Sequence, residues 1–149
     1  MELIKNREEY FMNIALKEAM KAYEEDEIPV GAVIVYQDQI IGRGYNQSQR
    51  LKDSTAHAEM IAITSAQNKI GSKYLNGCEL YVTLEPCMMC SGAIFLSKIS
   101  KVVYGLDDKE KGFLRSSKEY TNKKLKIISN IQEIKSKELL DSFFFKLRS

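Results

Sequence analysis

The stretch "CELYVTLEPCMMCSGAIFLSKISKVVYG", Cys78 to Gly105, decides the architecture. Its β-rich ends, "CELYVT" and "KVVYG", bracket "PCMMCSGAIFLS", a segment of helical character, so the order strand, helix, strand is predicted. Working outward, "VGAVIVY" (Val30 to Tyr36) and "IIGRGYN" (Ile40 to Asn46) are two further β-rich runs. Only "QDQ" separates them, a length that suits a hairpin. Before them, Phe11, Ile14, Ala15, Ala19, Met20 and Tyr23 recur at helical spacing, and the pattern ends near the acidic cluster Glu24 to Glu27 and Pro29. A second helix is predicted over Ala58 to Asn68, a fifth strand in "KLKIIS" (Lys124 to Ser129) and a last helix over Ser136 to Leu147. The pattern predicts an α/β sandwich in one domain, residues 1–149, with crossover helices feeding the sheet. In such sheets chemistry gathers beyond the carboxyl ends of the strands, where helices begin.

Composition narrows the function classes. A chain of 149 residues is long enough to bury roughly 70% of the surface it exposes unfolded. It has three cysteines, an odd number, and no apolar signal stretch, so a reducing, cytoplasmic setting is expected. The apolar runs Ile28 to Tyr36 and Leu80 to Leu84 are too short to span a bilayer, and no membrane attachment is expected. Net charge is +2 but unevenly placed: residues 98–149 hold 13 Lys/Arg against 7 Asp/Glu, whereas residues 1–97 hold 9 against 13. That asymmetry fits a polyanionic partner met by the C-terminal third, and equally a general lysine bias of the chain.

Cys87 and Cys90, three apart at a predicted helix start, share one face, and unpaired backbone N–H groups there favour the thiolate. Pro86 suits the first turn, where its missing donor costs nothing. Taken alone, Cys-x-x-Cys fits zinc, a redox pair or coincidence. His57, the single histidine, shifts the balance. Two thiolates and one imidazole make three protein ligands and leave a tetrahedral ion one open position, as catalytic zinc requires. Cys78, just before "ELYVT", reads as a small core residue rather than a fourth ligand.

Glu59 lies two residues after His57, and residues two apart on a regular helix point to nearly opposite sides. The pair can share a site only if His57 sits at the irregular helix entry, with Ser54 or Thr55 as a plausible cap. A carboxylate beside zinc, but not on it, can take a proton from water and deliver it to substrate and leaving group.

The set His57-Ala58-Glu59 with Pro86-Cys87-x-x-Cys90 resembles the established signature of zinc-dependent nucleoside deaminases in the cytidine/deoxycytidylate deaminase superfamily. With "EIPVGAVIV", "GRGYN", "TAHAEM", "LYVTLEPCMMCSGAI", "VVYG" and "LLDSFF", nearly the whole chain resembles the bacterial tRNA-specific adenosine deaminase family. The resemblance implies a cytidine-deaminase-like three-layer α/β/α sandwich with a central mixed five-stranded sheet. It also implies one zinc ion (Zn2+) per subunit on His57, Cys87 and Cys90, a homodimer, and conversion of the wobble adenosine of an arginine tRNA anticodon to inosine. Glu59 would serve as the proton shuttle to N1 of adenine. Asn46 would read the purine edge, Ile28 would pack on the base, and Ala58, Leu84 and Glu85 would complete the substrate pocket. Asn46 also fits an ordinary turn residue.

An anticodon adenosine must be splayed from its loop, which calls for stacking and phosphate contacts. In "DDKEKG", Asp108, Lys109 and Lys111 correspond to the family's RNA-facing loop, and "SFFFKLR" offers Phe144, Lys146 and Arg148 as further RNA-contact candidates. Three consecutive phenylalanines, Phe143 to Phe145, cannot all face one helix side, so at least one is expected outside the core. One departure stands out: where the family commonly has a histidine before its last strand, this chain reads "YTNKKLKI". A deaminase of free guanine or cytidine compounds shares the metal motif and is the nearest alternative. A zinc-stabilised RNA-binding module and a Cys87/Cys90 redox protein are the others.

Overall fold

The computed structural model describes residues 2–114 and 125–149, with side chains from Asn6 onward. In chain order the elements are α1 (Glu2–Glu24), β1 (Gly31–Tyr36), β2 (Gln39–Tyr45), α2 (Ser48–Leu51), α3 (Ala58–Ile70), β3 (Glu79–Leu84), α4 (Met88–Leu96), β4 (Lys101–Leu106), β5 (Lys126–Ile128) and α5 (Glu133–Arg148). The strands form one sheet in the order β2-β1-β3-β4-β5. β1 runs antiparallel to both β2 and β3, whereas β3, β4 and β5 are parallel. The mixed five-stranded sheet expected from the sequence is present. Gln37 and Asp38 turn the hairpin with φ of 48° and 62°, left-handed values that match the twist of the two strands.

Alternation along the strands divides the core. Ala32, Ile34, Leu80, Val82, Val102 and Tyr104 pack with Ala58, Ala62, Ile63 and Ala66 of α3 and Ile94 of α4. Val33, Val35, Tyr81 and Val103 pack instead with Phe11, Met12 and Ala15 of α1. Successive strand residues thus serve opposite helix layers, and the result is the three-layer α/β/α sandwich. Arg7 ties α1 to the sheet by ion-pairing with Glu79 at 2.8 Å, beside the hydroxyl of the buried Tyr81 at 3.0 Å. No helix among the described residues is long and apolar enough to cross a membrane.

Small residues bring α3 unusually near to β2. Gly42 and Gly44 share one strand face, and Ala58, Ala62 and Ala66 share one helix face. A Cβ on Gly42 would lie 2.5 Å from Ala62 O, and one on Gly44 would lie 2.7 Å from Ala62 N and closer still to Ala58 O. Both obstacles are backbone, which cannot step aside. Gly44→Val is therefore expected to destabilise the fold by about 3 kcal/mol. A calorimetric melt should fall by roughly 6–12 °C for a domain of this size, and an unchanged melt would show that α3 does not rest on β2.

Several boundaries differ from expectation. α3 continues to Ile70, where Gly71 takes φ 69° and closes the helix, and α5 starts three residues earlier than predicted, at Glu133. β5 is confined to Lys126–Ile128. Lys124, and the stretch in which the family histidine is missing up to that residue, lie outside the described residues. Pro86 is not in the first turn of α4, because Cys87 is the N-cap. The Glu85 amide bonds Leu106 O at 2.8 Å and Pro86 O accepts the Phe113 amide at 3.0 Å, so sheet-like pairing persists past β3 and delays the helix.

Candidate active site

Because β1 opposes β3, the start of β1 and the ends of β2, β3 and β4 meet at one edge of the sheet, where α3 and α4 also begin. His57 is the N-cap of α3, with extended φ −77° and ψ 154°, and Cys87 is the N-cap of α4, with φ −75° and ψ 178°. Neither makes a side-chain cap bond. Both side chains turn instead toward each other. The expectation that Ser54 or Thr55 caps α3 is corrected here: the Thr55 amide and hydroxyl donate to Asp53 Oδ1 at 2.9 and 2.7 Å, so that polar capacity is spent in the preceding turn.

His57 Nδ1 lies 3.6 Å from Cys87 Sγ and 3.6 Å from Cys90 Sγ. Tetrahedral zinc, with bonds of about 2.3 Å to sulfur and 2.0–2.1 Å to nitrogen, puts sulfur and nitrogen about 3.6 Å apart. The donor set therefore fits zinc, with Nδ1 as the ligand nitrogen of His57. Among the described residues no other His, Cys, Asp or Glu joins this group. Cys78 is buried away from it in the core beneath β3.

The extended entry of His57 lets Glu59, in the first turn of α3, face the same site. Glu59 is 4% exposed. Burial pushes Glu59 up to about 7. A hydrogen bond from Cys90, helped by His57, pulls the Cys87 thiol down to about 3, and the same bond, with burial and the charge of Glu59, pushes Cys90 far up. His57 is raised, chiefly by its bond to Cys87. Two thiols, an imidazole and a carboxyl group thus compete for few protons in one partly buried spot. A divalent cation resolves that competition by releasing them.

A cavity of about 400 Å³ opens above these groups, within the range of small-ligand clefts, roughly 300–1,000 Å³. It is bordered by Ile28, Asn46, Ala58, Leu84 and Glu85, every residue that sequence reading placed in the substrate pocket, and by Asp108, Lys109, Lys111 and Phe144 from the RNA-contact candidates. Lys146 and Arg148 do not border it. Lys146 pairs with Asp26 at 3.1 Å and lies 5.0 Å from the centre of the Tyr23 ring, latching the end of α5 to the end of α1. Phe143 is buried, Phe144 is partly exposed and Phe145 is 72% exposed, so the three phenylalanines divide as helix geometry demands.

Glu85 is buried, and its Oε1 accepts the Asp108 amide at 3.1 Å. Asp108 Oδ1 in turn accepts the Glu110 and Lys111 amides, each at 3.1 Å. This Asx-type turn shapes the segment 107–111 at the mouth of the cavity. Asn46 Oδ1 accepts the Ser48 amide at 3.3 Å in a turn, and the residue borders the cavity. Sequence reading missed Val30, Leu106, Asp107, Glu110, Leu140 and Asp141 as cavity residues. For Leu140 a signal existed, since it stands four residues before Phe144 and so on the same face of α5.

The sequence pattern of the cytidine and deoxycytidylate deaminase zinc-binding region matches residues 5–106. A tRNA-specific adenosine deaminase of Aquifex aeolicus (strain VF5) is 47% identical over 146 residues, which cover 95% of this chain and 96% of that protein. A chain solved in structural studies of A-to-I editing by tRNA:A34 deaminases at the wobble position superposes with a TM-score of 0.83 and 39% identity, covering 88% of this chain and 99% of that one. A guanine deaminase from Bacillus subtilis superposes with a TM-score of 0.65 and 34% identity over 76% of this chain and 70% of its own. With the His-Cys-Cys group, the cavity and the fold all in agreement, the chain belongs to the cytidine and deoxycytidylate deaminase zinc-binding family.

Proposed function

We propose that the protein is a zinc-dependent tRNA adenosine deaminase that hydrolyses the wobble adenosine of an anticodon, that of an arginine tRNA in the fullest form of the reading, to inosine and ammonia. The observation that carries the reading is the pair of 3.6 Å separations from His57 Nδ1 to the two sulfurs, at a cavity into which Glu59 faces. Near-full-length similarity to a tRNA-specific adenosine deaminase supports the choice of substrate. His57, Cys87 and Cys90 would hold zinc, which when bound makes water nucleophilic near neutral pH. Glu59 would take the proton of the attacking water at its carboxylate, deliver it to N1 of adenine and assist the departure of ammonia from C6. Asn46 would read the purine edge, Ile28 and Leu84 would sandwich the base, and Phe144 with Leu140 would shield the opposite wall from water. Lys109 and Lys111 stand at the mouth, suited to phosphates of a splayed anticodon loop.

A second copy of the chain is the proposed partner. Met88, Phe95 and Leu96 of α4 are exposed, Leu96 at 73%, and supply apolar surface for such a contact. A monomer in sedimentation at micromolar concentration would oppose it. Free cysteines, the only state seen among the described residues, and a tRNA substrate both suit the cytoplasm.

The test is incubation of zinc-loaded protein with an anticodon stem-loop and, separately, with free guanine, cytidine and adenosine. Inosine at the wobble position, read as guanosine in cDNA, is expected from the stem-loop. Product from the free compounds alone would favour the small-molecule alternative, which the guanine deaminase similarity keeps in view.

A further inference from the structure

The acidic run Glu24 to Glu27 closes α1 and takes no part in the chemistry above. Glu27 nonetheless is only 1% exposed and does not border the cavity. Burying a carboxylate is costly unless its oxygens are bonded, and here both are. Oε1 accepts the Gln49 amide at 3.0 Å and Oε2 accepts the Arg50 amide at 2.7 Å. Those amides belong to the start of α2, whose N-cap, Gln47, makes no side-chain cap bond. Glu27 thus supplies from a distant turn the cap that Gln47 lacks.

The same contacts enclose Asn46. Ile28, the residue after Glu27, accepts Asn46 Nδ2 at its carbonyl oxygen at 3.3 Å, and Ser48, the residue before Gln49, donates its amide to Asn46 Oδ1 at 3.3 Å. The Asn46 side chain is therefore gripped on its nitrogen by the neighbour of Glu27 and on its oxygen by the neighbour of the amides that Glu27 holds. Glu27 is itself anchored, since its amide bonds Ala22 O at 2.9 Å across the end of α1, where Asp26 adopts φ 61°. One amide orientation satisfies both grips; the flipped one would set oxygen against the Ile28 carbonyl and nitrogen against the Ser48 amide.

We propose that Glu27 is a positioning residue: by capping α2 it fixes the orientation in which the Asn46 amide meets the purine edge. The inference rests on the substrate reading above and on Asn46 facing the base. Glu27 touches no substrate. Its effect on turnover passes through Asn46, which separates it from a residue that merely supports the fold. Glu25, which holds the Tyr45 hydroxyl at 3.1 Å and Arg50 at 3.2 Å on the exposed side of the same turn, provides a contrast, because exposed pairs of this kind contribute little.

A double-mutant cycle in kcat/KM on the anticodon stem-loop tests the proposal, using zinc-loaded Glu27→Gln, Asn46→Ala, the double variant and Glu25→Ala. Loss of one charge-assisted bond to a buried group predicts a decrease of about tenfold for Glu27→Gln. In the Asn46→Ala background the same change should add less than about twofold, and Glu25→Ala should stay within about twofold of the wild type. Equal losses in both backgrounds, or a Glu27→Gln protein within twofold of the wild type, would overturn the proposal. Should Glu27→Gln not fold, Glu27→Asp carries the same cycle, because its shorter carboxylate loses reach to one amide. Calorimetric titration with purine riboside repeats the cycle without turnover. An inactive wild type would then sink the substrate reading, while the binding cycle still decides the role of Glu27.

Discussion

Glu59→Gln is expected to form inosine at least about 10²–10⁴-fold more slowly than the wild type, the usual worth of a positioned acid or base. Its zinc content should be unchanged. The amide keeps the size of the carboxyl group and its place in the first turn of α3, yet it cannot accept a proton from water and return it to the base. Glu59 is not a member of the His-Cys-Cys group, so the metal should remain at one per chain by atomic emission. The melt should shift by no more than about 4 °C, corresponding to roughly 1–2 kcal/mol in a chain of this length, because Gln relieves the buried site of a group whose charge burial opposes. Full activity would remove the proton shuttle from the mechanism. Activity lost together with zinc would instead make Glu59 part of the metal site.

Cys87→Ala is expected to do what Glu59→Gln does not. With one sulfur gone, His57 and Cys90 leave too few donors for tight zinc, and activity should fall to background. Wild-type protein stripped by a chelator should match the variant and recover when zinc is returned, whereas the variant should not. The two N-caps joined by the metal stand on different helices, so binding braces α3 against α4. Zinc at a thousandfold its Kd adds about 4 kcal/mol to stability, and the stripped protein should melt roughly 10 °C lower. It should still fold, since the two apolar clusters on either face of the sheet do not depend on the ion. Stoichiometric zinc in Cys87→Ala would refute the ligand set. A zinc-free wild type with a reversible Cys87–Cys90 disulfide would support the redox alternative.

The parts of this molecule that were legible beforehand are those whose cause is local. The near-continuous apolar runs in "VGAVIVY" and "ELYVT" betray strands buried on both faces, and Cys-x-x-Cys with a histidine betrays a metal because few other arrangements use those groups together. The distance between His57 and Glu59 also carried information, since a spacing of two is productive only at a helix entry. What stayed hidden depends on partners far along the chain. α2 is four residues long, too short for periodicity, and Glu27 accepts its first-turn amides from 22 residues upstream. Lys146 of "SFFFKLR" also pairs with Asp26, 120 residues away, a partner that no local pattern announces. Pro86 looks like a first-turn proline until the pairing of Glu85 with Leu106 is seen to prolong the strand.

The order in which the site is assembled follows from α5. Every metal-binding group and Glu59 precede residue 91, but Leu140, Asp141 and Phe144 are contributed by the final helix. During synthesis, which folds amino-terminal portions first, a nascent polypeptide emerging from the ribosome acquires its zinc-binding groups while one side of the chamber is still missing. The wall that α5 supplies can dock only once those later residues have followed, so the chemical groups are made before that side of the chamber.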